Sequence, residues 1–300
     1  MTKLQRGSFR LFQVAGIEVF LHWSWFIVAT VAITWRREAY SSLAWNVAEY
    51  VALFVIVLMH EFGHALACRQ VGGQADRIIL WPLGGVAFVA PPQRPAATLW
   101  TIAAGPLVNV VLLSIAAAAI VASRWFGWAQ AWPDFQAFLE MIAFLNVALL
   151  IFNLLPIYPL DGGQILRALL WFFIGRARSL MVATIIGLLG ASGLLLLAYF
   201  AQSVWIAIMA VFILMMCWRS WKHARVLSQL EKLPVRPEFA CPVCRLSPPV
   251  APLWRCHQCG QHFDTFATGA ICPRCGVQSD LIPCVHCGAF RPITDWSVRG

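Results

Sequence analysis

The chain has 300 residues, of which 60% are hydrophobic and only 12% charged, against about 25% charged in soluble domains. So few charges cannot coat a water-soluble globule of this length, and the high hydrophobicity excludes disorder. The formal net charge of +9 comes from 22 Lys and Arg against 13 Asp and Glu. The composition is that of a polytopic membrane protein.

The first apolar run, Val19 to Trp35, follows Lys3, Arg6 and Arg10. It contains three tryptophans and ends in Trp35-Arg36-Arg37 instead of a small-residue cleavage site, so it reads as a membrane helix and not a cleavable signal. A spanning helix needs about 20 mostly apolar residues. Six stretches qualify: 19–35, 48–68, 97–122, 138–155, 180–200 and 203–219. Between the second and third, Arg77 to Ala90 is too short and too broken by Pro82, Gly84 and Gly85 to span. It reads as two short strands about a glycine turn. Residues 162–176 read as a short interfacial or re-entrant helix. The sixth span continues into a basic amphipathic helix, Trp218 to Leu233, and Pro234 and Pro237 mark a linker. The expected division is a membrane domain over 1–233, a linker over 234–240 and a cysteine-rich module over 241–300.

Six spans put the N-terminus, the 69–96 loop, the 156–179 loop and the C-terminal tail on one side. Near the membrane these segments carry twelve Lys and Arg, against Arg36, Arg37 and Arg124 on the other side. Basic residues stay on the cytoplasmic side. Both termini are therefore expected in the cytoplasm, of a prokaryotic cell membrane.

The second span contains Met59-His60-Glu61-Phe62-Gly63-His64. Positions i and i+4 share a helix face, so His60 and His64 can direct their imidazoles at one metal ion. Glu61 projects beside them, placed to act as a general base on water. The bland reading is a pair of histidines hydrogen-bonded in a bundle. Within the apolar run Val51 to Leu66 that reading weakens, because ionisable groups there are costly and usually functional. A zinc protease site takes three protein ligands. The best candidate for the third is Asp161, in Asn153-Leu-Leu-Pro156-Ile-Tyr-Pro159-Leu-Asp161-Gly162-Gly163. Two prolines and two glycines break the apolar helix there, and a carboxylate at such a break needs a partner. Capping of the following helix is the alternative role for Asp161.

These residues resemble the site-2 protease family of intramembrane zinc metalloproteases. The resemblance rests on His60-Glu-Phe-Gly-His64 and, about ninety residues on, Asn153-Leu-Leu-Pro-Ile-Tyr-Pro-Leu-Asp-Gly-Gly163. Gly16-Ile-Glu-Val-Phe-Leu-His22-Trp-Ser-Trp25, Leu83-Gly84-Gly85 and Ala104-Gly105-Pro106-Leu107-Val108-Asn109 add to it. The spacing resembles the compact six-span branch, without an inserted domain between the motifs. The resemblance implies a mostly helical membrane protein with a membrane-associated β-hairpin, which cleaves membrane-protein substrates within the lipid bilayer. It implies zinc on His60, His64 and Asp161, water activation by Glu61, and Asn153 with Asn109 steadying substrate or oxyanion. Asn109 equally suits a helix–helix hydrogen bond. His22, beside Trp23 and Trp25, reads as an interfacial anchor and not a ligand.

Eight of the ten cysteines form four CxxC pairs: Cys241/Cys244, Cys256/Cys259, Cys272/Cys275 and Cys284/Cys287. In a cytoplasmic tail this spacing signals two structural four-sulfur zinc sites, not disulfides. Three zinc ions are thus expected, one catalytic and two structural. Sequential pairing leaves short loops of 11 and 8 residues and closes each site at slightly lower entropy cost, with interleaved pairing left open. The ribbons could dock a regulatory protein. Scattered Arg245, Arg255, Arg274 and Arg291 do not make a nucleic-acid surface, so nucleic acid is not an expected partner. The rival readings are a catalytically silent relative that binds membrane proteins, and a zinc-ribbon sensor with a membrane anchor. An intact Glu61 with both histidines and Asp161 argues against each.

Overall fold

The computed structural model describes residues 7–81 and 84–296. The expected basic positions Lys3 and Arg6, with Pro82 and Leu83 of the hairpin motif, lie outside the described residues. Contacts divide the chain into two units, one ending at Trp221 and the other beginning at Lys222.

Among the described residues, five helices are long and apolar enough to cross a membrane. They are α2 (Leu43–Gln70), α3 (Pro95–Trp125), α5 (Pro133–Leu154), α7 (Arg176–Phe200) and α8 (Val204–Leu230). One short turn, α4 (Trp128–Ala131), leads into α5, and α6 (Asp161–Ile174) is the expected short helix after the proline break. The helices are inside-out relative to a soluble protein. Val51, Val111, Ile115, Ile151 and Leu189 are exposed, while His60, Glu61, Asn109 and Asn146 are buried. Apolar positions outward and polar ones inward is the arrangement a lipid solvent imposes.

The expected first helix over 19–35 is corrected. Its first part is strand β2 (Ile17–His22), and only Ser24–Trp35 is helical, as α1. Twelve residues rise about 18 Å, too little for a hydrocarbon core of about 30 Å. The two pieces together nonetheless run the length of α2. At one end Arg69 donates to the carbonyls of Ala15 and Gly16. At the other, Arg36 pairs with Glu49 at 2.8 Å, and Tyr40 donates to the same carboxylate at 2.7 Å. The twenty positions from Glu49 to Arg69 rise about 30 Å. Strand plus helix therefore covers the distance that one helix was expected to cover.

A strand is tolerable at that depth only if its backbone is paired. β2 lies inside a four-stranded sheet ordered β1-β2-β3-β4, with β1 Ser8–Val14, β3 Gln74–Trp81 and β4 Gly84–Ala90. β2 pairs antiparallel with β1 and parallel with β3, so both of its edges are bonded. β3 and β4 form the expected hairpin. Glu18 of β2 meets Arg10 and Arg77 on the two neighbouring strands. His22 is not an interfacial anchor: it is buried (8% exposed), stacked on Trp81 at 4.2 Å, with Nδ1 2.5 Å from Ser24 Oγ.

In the second unit, residues 234–240 are not a free linker. Val235 bridges Pro249, and Arg236 pairs with Asp264 at 2.9 Å. Two small hairpins follow, β5 (Trp254–Arg255) with β6 (His262–Phe263) and β7 (Ile282–Pro283) with β8 (Phe290–Arg291). The cysteine pairing is nested, which corrects the sequential expectation. Cys241 and Cys244 meet Cys284 and Cys287, while Cys256 and Cys259 meet Cys272 and Cys275. The longer outer loop costs about 1 kcal/mol more by the logarithmic rule. Against that, the nested path closes the chain around Trp254, Phe266, Ile282 and Trp296, all buried. Each such side chain contributes about 1.5–3 kcal/mol on burial. Aromatic packing wins over loop length.

All four knuckles share one backbone pattern, in which the amide four residues after the first cysteine donates back to that cysteine's carbonyl. The donor takes a left-handed φ: +73° at Gly260, +70° at Gly276, +74° at Gly288 and +61° at Arg245. Three are glycine, for which this conformation is free, and one is an arginine that pays for its Cβ. Arg245→Gly is expected to stabilise the ribbon by roughly 0.5–1 kcal/mol, read as a higher denaturant midpoint for zinc release from the full chain.

Candidate active site

Helix geometry places His60 and His64 one turn apart on the face of α2 that meets α3. The two helices approach closely because the residues between them are small. A Cβ on Gly63 would lie 2.8 Å from the Ala104 carbonyl, and one on Gly105 would collide with the His64 ring. Such close crossings over small residues are typical of membrane bundles. The third element is the break between α5 and α6. Asp161 is the first residue of α6, and Gly162 and Gly163 pack against the backbone of Leu154 and Tyr158. Asp161 thus stands in a helix's first turn and also faces the histidines.

The distances are short. His60 Nε2 lies 3.1 Å from His64 Nε2, and Asp161 Oδ2 lies 3.0 Å and 3.4 Å from the two. All three side chains are buried. His64 Nδ1 meets the Thr101 carbonyl at 2.9 Å, and His60 Nδ1 meets Asn109 Oδ1 at 2.5 Å. A neutral ring that donates from Nδ1 presents a lone pair at Nε2. Two lone pairs and a buried carboxylate oxygen with no hydrogen-bond donor then converge on one point, a repulsive arrangement without a cation. Tetrahedral ligands at about 2.0–2.2 Å from zinc stand about 3.3 Å apart. The donor set and its spacing fit zinc.

Glu61 is buried beside this triad but belongs to a different contact. Its Oε2 accepts from the Ala87 amide of β4 at 2.8 Å. Gly85 lies so close that a Cβ there would fall on the Glu61 carboxylate. The Ala87 N–H points away from β3, so the unpaired edge of β4 runs past Glu61.

Asn109 lies fully buried between α3 and α5. Its Oδ1 is taken by His60, and its Nδ2 donates to Asn146 Oδ1 at 2.6 Å, while Asn146 Nδ2 donates to the Asn109 carbonyl at 2.8 Å. Both ends of the Asn109 amide are thus engaged, in the helix–helix bond that was one of its two expected roles and in a contact with His60. Asn153, half-buried near the end of α5, is not part of this chain of bonds. Asn146 carries no motif and went unread in the sequence. The available signal was a second amide inside the apolar helix α5, two turns before Asn153.

In the tail, sulfur atoms of the outer group approach to 3.8 Å and those of the inner group to 3.6 Å. Backbone N–H donors, foremost that of Cys259, bring the Cys256 thiol down to about 6. Such amides favour the thiolate, the form that binds a metal. The neighbouring Cys244 thiol, with burial, pushes Cys284 up. Four crowded thiols of this kind need a cation to be ionised together.

The profile of peptidase family M50 matches residues 48–132 and 126–197. A zinc metalloprotease of Methanocaldococcus jannaschii is 32% identical over 207 residues, covering 69% of this chain and 58% of that one. Stage IV sporulation protein FB of Bacillus subtilis is 32% identical over 136 residues, covering 44% of this chain and 43% of its own. Among solved structures, a site-2 protease from Methanocaldococcus jannaschii superposes with a TM-score of 0.53 at 28% identity, covering 71% of this chain and 95% of that chain. The chain spans less than two thirds of the length of the curated zinc metalloproteases it matches. The family match runs across α2, α3, α5 and α6, the helices that carry the histidine–aspartate cluster, and this multi-pass membrane chain belongs to peptidase family M50.

Proposed function

We propose that the chain is a zinc-dependent intramembrane endopeptidase, cleaving membrane proteins in or near their spanning segments. The observation that carries this reading is Glu61, held by a strand edge beside two histidines and an aspartate whose ligand atoms converge at membrane depth. A carboxylate next to a metal triad but outside it suits a general base. Zinc on His60, His64 and Asp161 would supply a Lewis acid that polarises water and the scissile carbonyl. Glu61 takes the proton from the attacking water and passes it to the leaving amine. The free edge of β4 suits an extended substrate segment, which pairs there by strand addition and so brings its unwound backbone to the base. Asn153, eight residues before Asp161, is the remaining candidate to steady the developing oxyanion. The cysteine groups of the tail hold two structural zinc ions.

Glu61→Gln is expected to lower cleavage of a membrane substrate by about 10²–10⁴-fold while the membrane-site zinc stays bound. Retained proteolysis by the purified variant would refute the assignment. Metal analysis of the full chain should give three zinc ions. Asp161→Ala should lose or weaken only the membrane ion, and Cys284→Ser only one in the tail. A single zinc in the wild-type protein would contradict the two-site tail. Because β2 with α1 makes one crossing, both termini are proposed to be cytoplasmic. Reporters at Gly300 and within residues 36–45 should then fall on opposite sides, and the same side for both would overturn this topology.

A further inference from the structure

We propose that Asn146 is a positioning residue for the metal site, fixing through Asn109 which nitrogen of His60 carries the proton. The proposal rests on the zinc reading of the His60–His64–Asp161 cluster. A main-chain carbonyl can only accept a hydrogen bond. The Asn146 amide lies 2.8 Å from the Asn109 carbonyl, so the atom placed there is its NH₂ group. Its oxygen is thereby turned toward the Asn109 side chain at 2.6 Å, where only a donor, Asn109 Nδ2, can meet it. Asn109 Oδ1 then faces His60 Nδ1 at 2.5 Å, and that nitrogen has to be the N–H. A neutral imidazole has one N–H. His60 Nε2 is left with its lone pair, aimed at His64 Nε2 and Asp161 Oδ2. Each assignment forces the next. His64 reaches the same state in one step, because its Nδ1 faces the Thr101 carbonyl directly.

The relay is sealed. Asn109 is 0% and Asn146 1% exposed, so water does not replace a lost partner. If Asn146 only tied α5 to α3, its removal would loosen the bundle and leave His60 unchanged. If it fixes polarity, its removal lets the Asn109 amide turn over and present NH₂ to His60 Nδ1. The ring then carries its proton on Nε2, directed into the triad, and no longer ligates there.

The test uses the full chain in detergent or nanodiscs, with zinc affinity measured by chelator competition. The His60 tautomer is read by ¹⁵N-histidine NMR after the membrane site is stripped, at alkaline pH where the ring is neutral. Asn146→Leu should weaken the membrane-site zinc by about 10–100-fold, the usual range for a lost partner of a ligating histidine. The two tail ions should stay, and His60 should shift away from the Nδ1–H form. Adding Asn109→Asp should recover most of that affinity and the Nδ1–H form, because a carboxylate presents oxygen whichever way it turns. A purely structural tie predicts lower thermal stability with unchanged tautomer and zinc affinity, and no recovery in N109D/N146L; that result would overturn the proposal. Asn146→Ala with the same readouts replaces the leucine variant if the latter does not fold. Should wild-type protein bind no zinc at the membrane site, the zinc reading fails, while the tautomer comparison on the metal-free chain still tests the relay.

Discussion

Polar side chains at membrane depth have to satisfy one another, and the arrangement of the bundle follows from that constraint. His60, Glu61 and His64 on α2 cannot turn to water, and an unsatisfied buried polar group costs about 1–3 kcal/mol. The neighbouring elements supply the partners, directly or through one another. The α3 helix brings the Thr101 carbonyl and Asn109, α5 brings Asn146, β4 brings the Ala87 amide, and α6 brings Asp161. Lipid offers no hydrophobic reason for these helices to associate. The polar contacts and the small residues that let backbones meet, Gly63, Ala104 and Gly105, supply the reason instead. Site and fold are the same set of interactions.

The segment from β1 through α1 obeys the same rule in a less familiar way. A strand with an open edge would be intolerable at that depth, and β2 is bonded on both sides. The sheet places its open edges on β1 and β4, and Glu61 occupies one amide of β4. The sheet that pairs both edges of β2 is thus the sheet that leaves a strand edge beside Glu61. This couples the N-terminal segment to the site without any of its side chains joining the metal cluster.

The features legible in the sequence were those encoded locally. His60 and His64 are bound by helical spacing, the long spans by apolar length, and Asp161 by the proline and glycine break around it. The structure brings these residues together as that spacing requires. What escaped was encoded in pairing between distant segments. The run 19–35 is apolar throughout, and composition does not distinguish a strand flanked by two others from the first turns of a helix. Asn109 allowed two readings because its partner, Asn146, lies 37 residues away on another helix. The cysteine pairing went the same way. Loop lengths are visible in the sequence, whereas the contact of Trp254 and Trp296 with Phe266 is not.

Nesting also gives the tail a hierarchy that sequential pairing would lack. The inner group closes a loop already held by the β5–β6 hairpin, with Cys256, Phe263 and Cys272 packed together. The outer group joins the beginning of the module to its end and encloses the larger aromatic core. Once the inner loop is closed, the outer one spans fewer free residues, so its closure costs less than its 39 intervening residues suggest. Closing the inner group therefore shortens the loop of the outer, and the outer group completes the core that buries Trp296. Two cysteine groups arranged this way share one aromatic core, whereas two sequential groups would form separate beads.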